Sequence, residues 1–164
     1  MRKLFIVPDS YRGCVRPALR KSEMTDAPAV AIELNDGRVV TGKTSPLLGA
    51  SSAALLNALK LLAGIDKDKE IISRDILSPI QTLKTENLGN HNPRLHTDEV
   101  LIALAITAVE SDDARRAIDT LPMLRHAEVH SSVILSPTDE ATFRKLGMNL
   151  SCEPKYQTKK LFHH

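Results

Sequence analysis

Residues 128–152, EVHSSVILSPTDEATFRKLGMNLSC, contain a strand, a helix and a second strand within the length of one crossover. The apolar and β-branched run Glu128–Leu135 predicts the first strand. Ser136-Pro137-Thr138-Asp139 predicts a helix start, with a serine N-cap, proline at the first helical position and a carboxylate at the third. Gly147 ends that helix, and Met148–Cys152 predicts the second strand. Such a connection is right-handed and makes its two strands parallel, so the stretch predicts an α/β fold.

A second sheet element lies towards the other end of the chain. Ala29–Leu34 predicts a strand, Asn35-Asp36-Gly37 a turn that accommodates positive φ, and Arg38–Thr41 the returning strand. Gly49–Ala63 predicts a helix with leucines along one face. The sequence therefore predicts an α/β layered domain with a mixed β-sheet, built from an N-terminal hairpin and a C-terminal β-α-β unit, with helices packed on it.

The region between these two units gives weaker signals. Lys69–Ser73 is a candidate short strand, and residues 74–96 carry many turn residues and predict a long irregular connection. A helix is predicted over Asp98–Glu110 with Thr97 as its N-cap. Ser111 is predicted to cap a further helix.

Length and composition predict one α/β domain over residues 29–164, after a poorly ordered or short-helix lead-in over residues 1–28. The chain has 164 residues, of which 42% are hydrophobic and 26% charged, as in ordinary globular domains. A net charge of +2 gives no overall attraction to nucleic acid or membrane. Cys14 and Cys152 lack a metal-ligand spacing and indicate a reducing, cytoplasmic location.

The polar segment Asn92-Pro93-Arg94-Leu95-His96-Thr97-Asp98-Glu99 leads directly into the most apolar helix of the chain. Arg94 can hold a carboxylate or phosphate, and His96 can move a proton near neutral pH. Asn92, Arg94 and His96 are therefore candidate ligand-binding residues. The competing interpretation is structural, with Arg94 paired to Glu99 or to a carbonyl and His96 capping a turn. Two histidines without a third nearby ligand predict no metal site.

Residues 37–44, GRVVTGKT, match the phosphate-loop pattern letter for letter. A working phosphate loop passes directly into a helix, whereas Pro46 and Gly49 separate Lys43 from the next predicted helix. The residues between the glycines are also strand formers. We therefore interpret this stretch as part of the hairpin, and Lys43 remains a ligand-binding candidate as a cation at a polar loop mouth.

His130-Ser131-Ser132 lies on a predicted strand, where alternation places His130 on one face and Ser131 on the other. A strand interior lacks the sharp turn that exposes a nucleophilic serine, so no catalytic residue is assigned. Sites in α/β proteins gather at strand ends. His130 and Ser131 are therefore candidate ligand-binding residues that face the Arg94 loop.

The words Asn-Pro-Arg-Leu-His at 92–96 and Glu-Val-Leu-Ile-Ala-Leu-Ala-Ile-Thr-Ala at 99–108 resemble the C-terminal part of a bacterial family, domain of unknown function 1846 or uncharacterised protein family 0371. Four further stretches agree in the same order: 29–37, 40–59, 127–135 and 144–149. The likeness begins at about residue 14 and leaves out the first 13 residues. Family members carry a further N-terminal region, so the resemblance implies a detached C-terminal domain or a truncated reading frame.

Two functional hypotheses follow, and neither establishes whether the protein is an enzyme. The first is an interaction or scaffold domain of a longer cytoplasmic bacterial protein. Its partner would be the family's N-terminal region or another copy of the chain, because two strongly apolar helices predict an exposed apolar surface. The alternative is a domain that binds an anionic small molecule or phosphate ligand, with or without catalysis, in a cleft around Asn92–His96. No cofactor, metal, nucleic-acid or membrane partner is predicted.

Overall fold

The protein folds into a four-stranded mixed sheet with helices on both faces, as seen in a computed structural model. The structure describes residues 13–25 and 27–154. A π-helical turn at Leu83–Asn87 extends the third helix, and a 3-10 turn at Leu121–Leu124 precedes the third strand. The helices and strands are α1 (Val15–Thr25), β1 (Ala29–Glu33), β2 (Val39–Lys43), α2 (Ala50–Leu62), α3 (Arg74–Thr82), α4 (Thr97–Thr107), α5 (Asp112–Ile118), β3 (Glu128–Ser131), α6 (Pro137–Lys145) and β4 (Asn149–Cys152).

The sheet has the strand order β2-β1-β3-β4. Strand β1 is antiparallel to β2 and to β3, whereas β3 and β4 are parallel and joined through α6. The predicted α/β class, the hairpin and the β-α-β unit are therefore confirmed. Gly37 occupies the hairpin turn with φ of 93°. Lys43 is the last residue of β2 and does not precede a helix directly, which agrees with the hairpin interpretation.

Side chains on the two faces of the sheet pack into two different hydrophobic clusters. Val30 and Ile32 belong to the main core beneath α2 and α4. Helix α2 lies so close to β2 that a Cβ on Gly42 would stand 2.2 Å from the backbone nitrogen of Ala54. On the opposite face, Ala31 packs with two residues of the α1 region, Cys14 and Ala18.

The lead-in expected at residues 1–28 contains helix α1, which is attached to the sheet. Cys14 and Ala18 are completely buried. A hydrogen bond of 2.9 Å from the amide of Gly13 to Glu33 fastens the start of this segment to the end of β1. Residues 1–12 lie outside the described part of the chain, so the expectation for them stays a prediction.

Two expectations for the middle of the chain are wrong. Residues 69–73 form bends and not a strand. Ile71 and Ile72 are adjacent and both buried, whereas neighbouring residues of a strand point to opposite faces. Residues 74–96 contain α3, although Pro79 lies inside it. Leu77 is buried in the core, and Ile76 and Ile80 pack beside it. An apolar face at helical spacing thus outweighs the turn residues.

Strand β3 ends four residues earlier than the pattern predicts. The hydroxyl of Ser131 donates to the carbonyl of Val133 and accepts from the amide of the same residue, at 2.6 and 3.2 Å. This local turn competes with strand pairing, and the last contact of this segment with β1 is the hydrogen bond of 2.8 Å from the amide of Ser132 to the carbonyl of Ala29. Within the described residues, no helix has the combination of length and apolarity that crossing a bilayer requires.

Candidate functional site

A small solvent-open recess of about 40 Å³ lies where the beginnings of α2, α4 and α6 meet the end of β3 and the start of β1. The segment before α4 contributes Asn92, Arg94 and His96 to its wall. Sites in α/β proteins form at the carboxyl ends of strands, and helix N-termini carry partial positive charge. The recess therefore combines two features that favour a polar ligand.

Leu95 fixes the position of the Arg94 loop. Its amide donates to the carbonyl of Leu47 at 3.0 Å, and its side chain is completely buried. Its carbonyl accepts from the hydroxyl of Ser52 at 2.8 Å and from the amide of Gly49 at 3.3 Å. These contacts tie the loop directly to the first turn of α2, so the two walls of the recess are held as one unit.

Arg94 uses only part of its guanidinium to hold the loop. Its Nε donates to the carbonyl of Ser45 at 2.6 Å, and its amide donates to the side chain of Asn92 at 3.0 Å. The structural interpretation of Arg94 is thus correct for a carbonyl partner, whereas Glu99 pairs with a different cation. Over residues 13–25 and 27–154, the two Nη groups of Arg94 have no hydrogen-bond acceptor. They remain available to a ligand.

Lys84, in the π-helical turn, is the cation that pairs with Glu99. Its ammonium lies 2.8 Å from Glu99 Oε1 and also donates to the carbonyl of Arg94. The side chain of Lys84 is only 4% exposed. Glu99 in turn accepts from the amide of His96 at 2.8 Å. His96, and not Thr97, is therefore the N-cap residue of α4.

Asp139 links the beginnings of α4 and α6. Its Oδ1 accepts from the amide and the hydroxyl of Thr97, at 2.9 and 2.8 Å, and its Oδ2 lies 3.8 Å from His96 Nδ1. The Asp139 carboxylate beside it raises the pKa of His96 against the opposing effect of burial. Burial acts to raise the pKa of Asp139, but His96 and Thr97 outweigh it, so this pKa lies below its ordinary value. The two groups form an ion pair under mildly acidic conditions.

The first turn of α2 differs from those of α4 and α6, because no side chain caps it. Its N-cap is Gly49. Ala50 and Ser51 line the recess, and no acceptor for their amides occurs among the described residues. Ser51 is only 2% exposed, and in the same part of the chain its hydroxyl has no hydrogen-bond partner. This turn therefore has unused hydrogen-bond donors beside the recess.

Four of the six candidate residues come together at the recess: Asn92, Arg94, His96 and Ser131. Lys43 and His130 are not in its wall. Lys43 is exposed at the end of β2.

His130 pairs in register with Ala31 on the α1 face of the sheet, which explains why it cannot face the Arg94 loop. Its ring nitrogens lie 2.6 Å from Ser151 Oγ and 2.8 Å from Glu153 Oε2.

Sequence reasoning missed Ser51 and Asp139 as residues of the recess. Ser136-Pro137-Thr138-Asp139 does begin a helix, and Ser136 Oγ accepts from the amide of Asp139 at 3.2 Å. This signal is local and does not reveal that Asp139 also contacts Thr97, 42 residues away. Across residues 13–25 and 27–154, no three histidine, cysteine, aspartate or glutamate side chains are grouped to hold a metal ion.

Comparison with known proteins places this chain in a family. Residues 10–162 match the model described as "Domain of unknown function DUF1846, C-terminal". The chain is 57% identical over 151 residues to a UPF0371 protein of Corynebacterium glutamicum, covering 92% of this chain and 30% of that protein. It is 48% identical over 162 residues to a UPF0371 protein of Streptococcus thermophilus, covering 99% of this chain and 33% of that protein.

The chain thus spans about a third of the length of the curated relatives it matches. The matched family model is the C-terminal one and covers nearly all of the chain. Both observations agree with the resemblance carried by residues 92–108, although the match begins at residue 10 and not at about residue 14. The protein belongs to the DUF1846 family, in the part that corresponds to its C-terminal domain.

Proposed function

We propose that this domain binds a small anionic ligand, of the phosphate or carboxylate class, in the recess between α2, α4 and α6. The observation that carries the proposal is the uncapped first turn of α2. The amides of Ala50 and Ser51 and the hydroxyl of Ser51 are donors at the positive end of a helix. Oxyanions bind at such helix starts because the amides and the helix dipole act together.

Arg94 supports this proposal with a charge. Its Nη groups complete the donor set, and guanidinium groups bind phosphate and carboxylate with two parallel hydrogen bonds. Asp139 adds a negative charge to the same recess, but His96 balances that charge when its ring is protonated. The remaining charge is therefore the positive charge of Arg94, which favours an anion over a cation.

Calorimetric titration with inorganic phosphate tests the proposal. We expect binding to the native chain, weakened roughly tenfold or more by Arg94→Ala, since hydrogen bonds to charged groups have this magnitude. Arg144→Ala is the matched control, because Arg144 pairs with Glu140 on α6 and does not line the recess. No heat at millimolar phosphate, or equal affinity in both variants, would contradict an anion site here.

A second function is supported by the outer face of α4. Ile102, Ile106 and Val109 are 58%, 60% and 78% exposed, and Ala105 lies exposed between them. Ile102, Ala105 and Ile106 follow the i, i+3, i+4 spacing of a helix-packing face, and Val109 lies in the turn just after α4. We propose that this stripe is an interaction surface of a cytoplasmic protein, in keeping with the scaffold hypothesis. Its partner would be another copy of the chain or the additional part of the longer relatives.

Light scattering over a concentration series tests the interaction surface. We expect the native chain to self-associate and Ile102→Glu with Ile106→Glu to shift it to a monomer, because charges on a desolvated face are costly. Met24→Glu serves as the control, since Met24 is an exposed hydrophobic residue on α1. If the native chain stays monomeric at high concentration, self-association is excluded. The remaining candidate partner is then the additional region of the longer relatives.

A further inference from the structure

The recess contains an acceptor as well as donors, and the acceptor restricts the kind of anion that fits. Asp139 Oδ1 is already used by both donors of Thr97. Its Oδ2 stands 3.8 Å from His96 Nδ1, which is an ion-pair distance and too long for a hydrogen bond. In the part of the chain that the structure describes, Oδ2 has no hydrogen-bond donor.

A carboxylate oxygen that is open to a recess is hydrogen-bonded by water, and a ligand that displaces this water must replace its hydrogen bond. The side chain of Asp139 is only 12% exposed, and it lines the recess. A fully ionised phosphate or carboxylate offers acceptors alone, so it would meet Asp139 with like charge and leave Oδ2 unsatisfied. A ligand that fills the recess must therefore carry a donor at some distance from its anionic group.

The donor is better supplied by a hydroxyl than by an ammonium group. His96 already lies beside Oδ2 as the cationic partner of Asp139, so a second cation there would be repelled. The wall of the recess also contains the apolar residues Val30, Val133 and Leu135. A short carbon skeleton can pack against these residues.

We infer that the ligand is a phosphorylated polyol or sugar, with its phosphate at the start of α2 and a hydroxyl donating to Asp139 Oδ2. This inference rests on the proposed anion site. In this arrangement the phosphate accepts from the amides of Ala50 and Ser51 and from Arg94. The hydroxyl donates to Asp139 Oδ2. The donors at the start of α2, the Nη groups of Arg94 and the Oδ2 acceptor then all have a partner.

Three phosphate monoesters of similar size separate the alternatives by calorimetry on the native chain: glycerol 1-phosphate, propyl phosphate and aminoethyl phosphate. We expect glycerol 1-phosphate to bind roughly tenfold more tightly than propyl phosphate, the magnitude of one hydrogen bond to a charged acceptor. Tightest binding of aminoethyl phosphate would overturn the hydroxyl assignment. Equal affinity of the native chain for all three esters would show that Asp139 does not discriminate between them.

Asp139→Asn tests the role of Oδ2 directly. Asparagine keeps an acceptor for Thr97 but can place an amide group where Oδ2 stands, so the preference for glycerol 1-phosphate should fall to less than about twofold. Asp98→Asn is the matched control, since Asp98 is an exposed acid in the first turn of α4 outside the recess. Thermal melts of both variants show whether they fold.

The experiment distinguishes this inference from the proposed function. If neither inorganic phosphate nor any ester binds the native chain, the anion site itself is wrong. If inorganic phosphate binds and Arg94→Ala weakens it, but glycerol 1-phosphate has no advantage over propyl phosphate, only the polyol inference is overturned. The native-chain comparison decides this even if Asp139→Asn fails to fold.

Discussion

Thr97, the first residue of α4, donates two hydrogen bonds to Asp139, the third residue of α6, one from its amide and one from its hydroxyl. Both residues are buried. One carboxylate oxygen thus satisfies an N-terminal amide of a helix distant in sequence and joins two walls of the recess. The contact is charge-assisted and shielded from water, so it should contribute both to stability and to the shape of the site.

Thr97→Val should destabilise the domain by about 1–3 kcal/mol, because it removes one hydrogen bond to a buried charged acceptor while keeping the β-branched shape. Thr142→Val is the control, since its hydroxyl bonds only a carbonyl within α6 and should cost less than about 0.5 kcal/mol. Urea denaturation of both variants provides the measurement. Equal midpoints for the two variants would mean that the Thr97 hydroxyl contributes nothing.

The His96–Asp139 pair should make stability depend on pH in a defined window. The raised pKa of His96 gives stability that is complete below its unfolded pKa of about 6.5 and is lost as pH rises through the folded value. The lowered pKa of Asp139 gives stability that is present above its unfolded pKa of about 3.9 and is lost as pH falls through the folded value. The pair is therefore most stabilising between these limits.

Replacement of His96 by Gln should lower the melting temperature at pH 5.5 more than at pH 8.5, because the native ring is charged only at the lower value. Thermal melts of both proteins across this range provide the measurement. His91→Gln is the control, since His91 is exposed and does not line the recess. A difference between native and His96→Gln proteins that is independent of pH would show that the pair does not titrate with folding.

Gly42→Ala should destabilise the domain by about 1–3 kcal/mol or more, because the new Cβ would stand 2.2 Å from the nitrogen of Ala54. The obstructing atom belongs to the backbone of α2, so relief requires the helix to move off the sheet. Gly49→Ala is the control, since its Cβ would meet nothing closer than 3.8 Å. Denaturant midpoints that shift equally in both variants would contradict this close helix-sheet contact.

Lys84→Met should destabilise the domain by about 1–3 kcal/mol, because Glu99 loses its cation and the carbonyl of Arg94 loses a donor. The methionine can still fill the apolar part of the site, so the change is mainly electrostatic. Lys43→Met on the exposed end of β2 is the control. Urea denaturation provides the measurement, and a Lys84→Met protein as stable as the control would show that the buried ammonium is dispensable.

The hairpin and the β-α-β unit could be predicted because each is specified by local chemistry. Asn35-Asp36-Gly37 provides the turn conformation, and Ser136-Pro137 provides a capped helix start. Helix α3 could not be predicted in the same way, because Pro79 and its neighbours favour turns. The helix is stabilised instead by the burial of Leu77 in the core. Local preference and tertiary packing disagree there, and packing decides the structure.

The candidate site was predictable only in part for a similar reason. Pro93 and the polar residues around it mark the Arg94 loop, and this loop does line the recess. The face on which His130 lies depends on strand register, and the approach of Asp139 to Thr97 depends on how α4 and α6 pack. Neither relationship has a sequence signal at short range.

The hydroxyl of Ser132 accepts from the amide of Ala29, 103 residues earlier, where β1 pairs with β3. Strand β1 can therefore pair with β3 only after most of the domain has been synthesised. Pairings between such distant segments carry a large loop-closure cost and slow the search for the native state. We expect the nascent hairpin to emerge from the ribosome with one edge of β1 open until residues 128–132 follow.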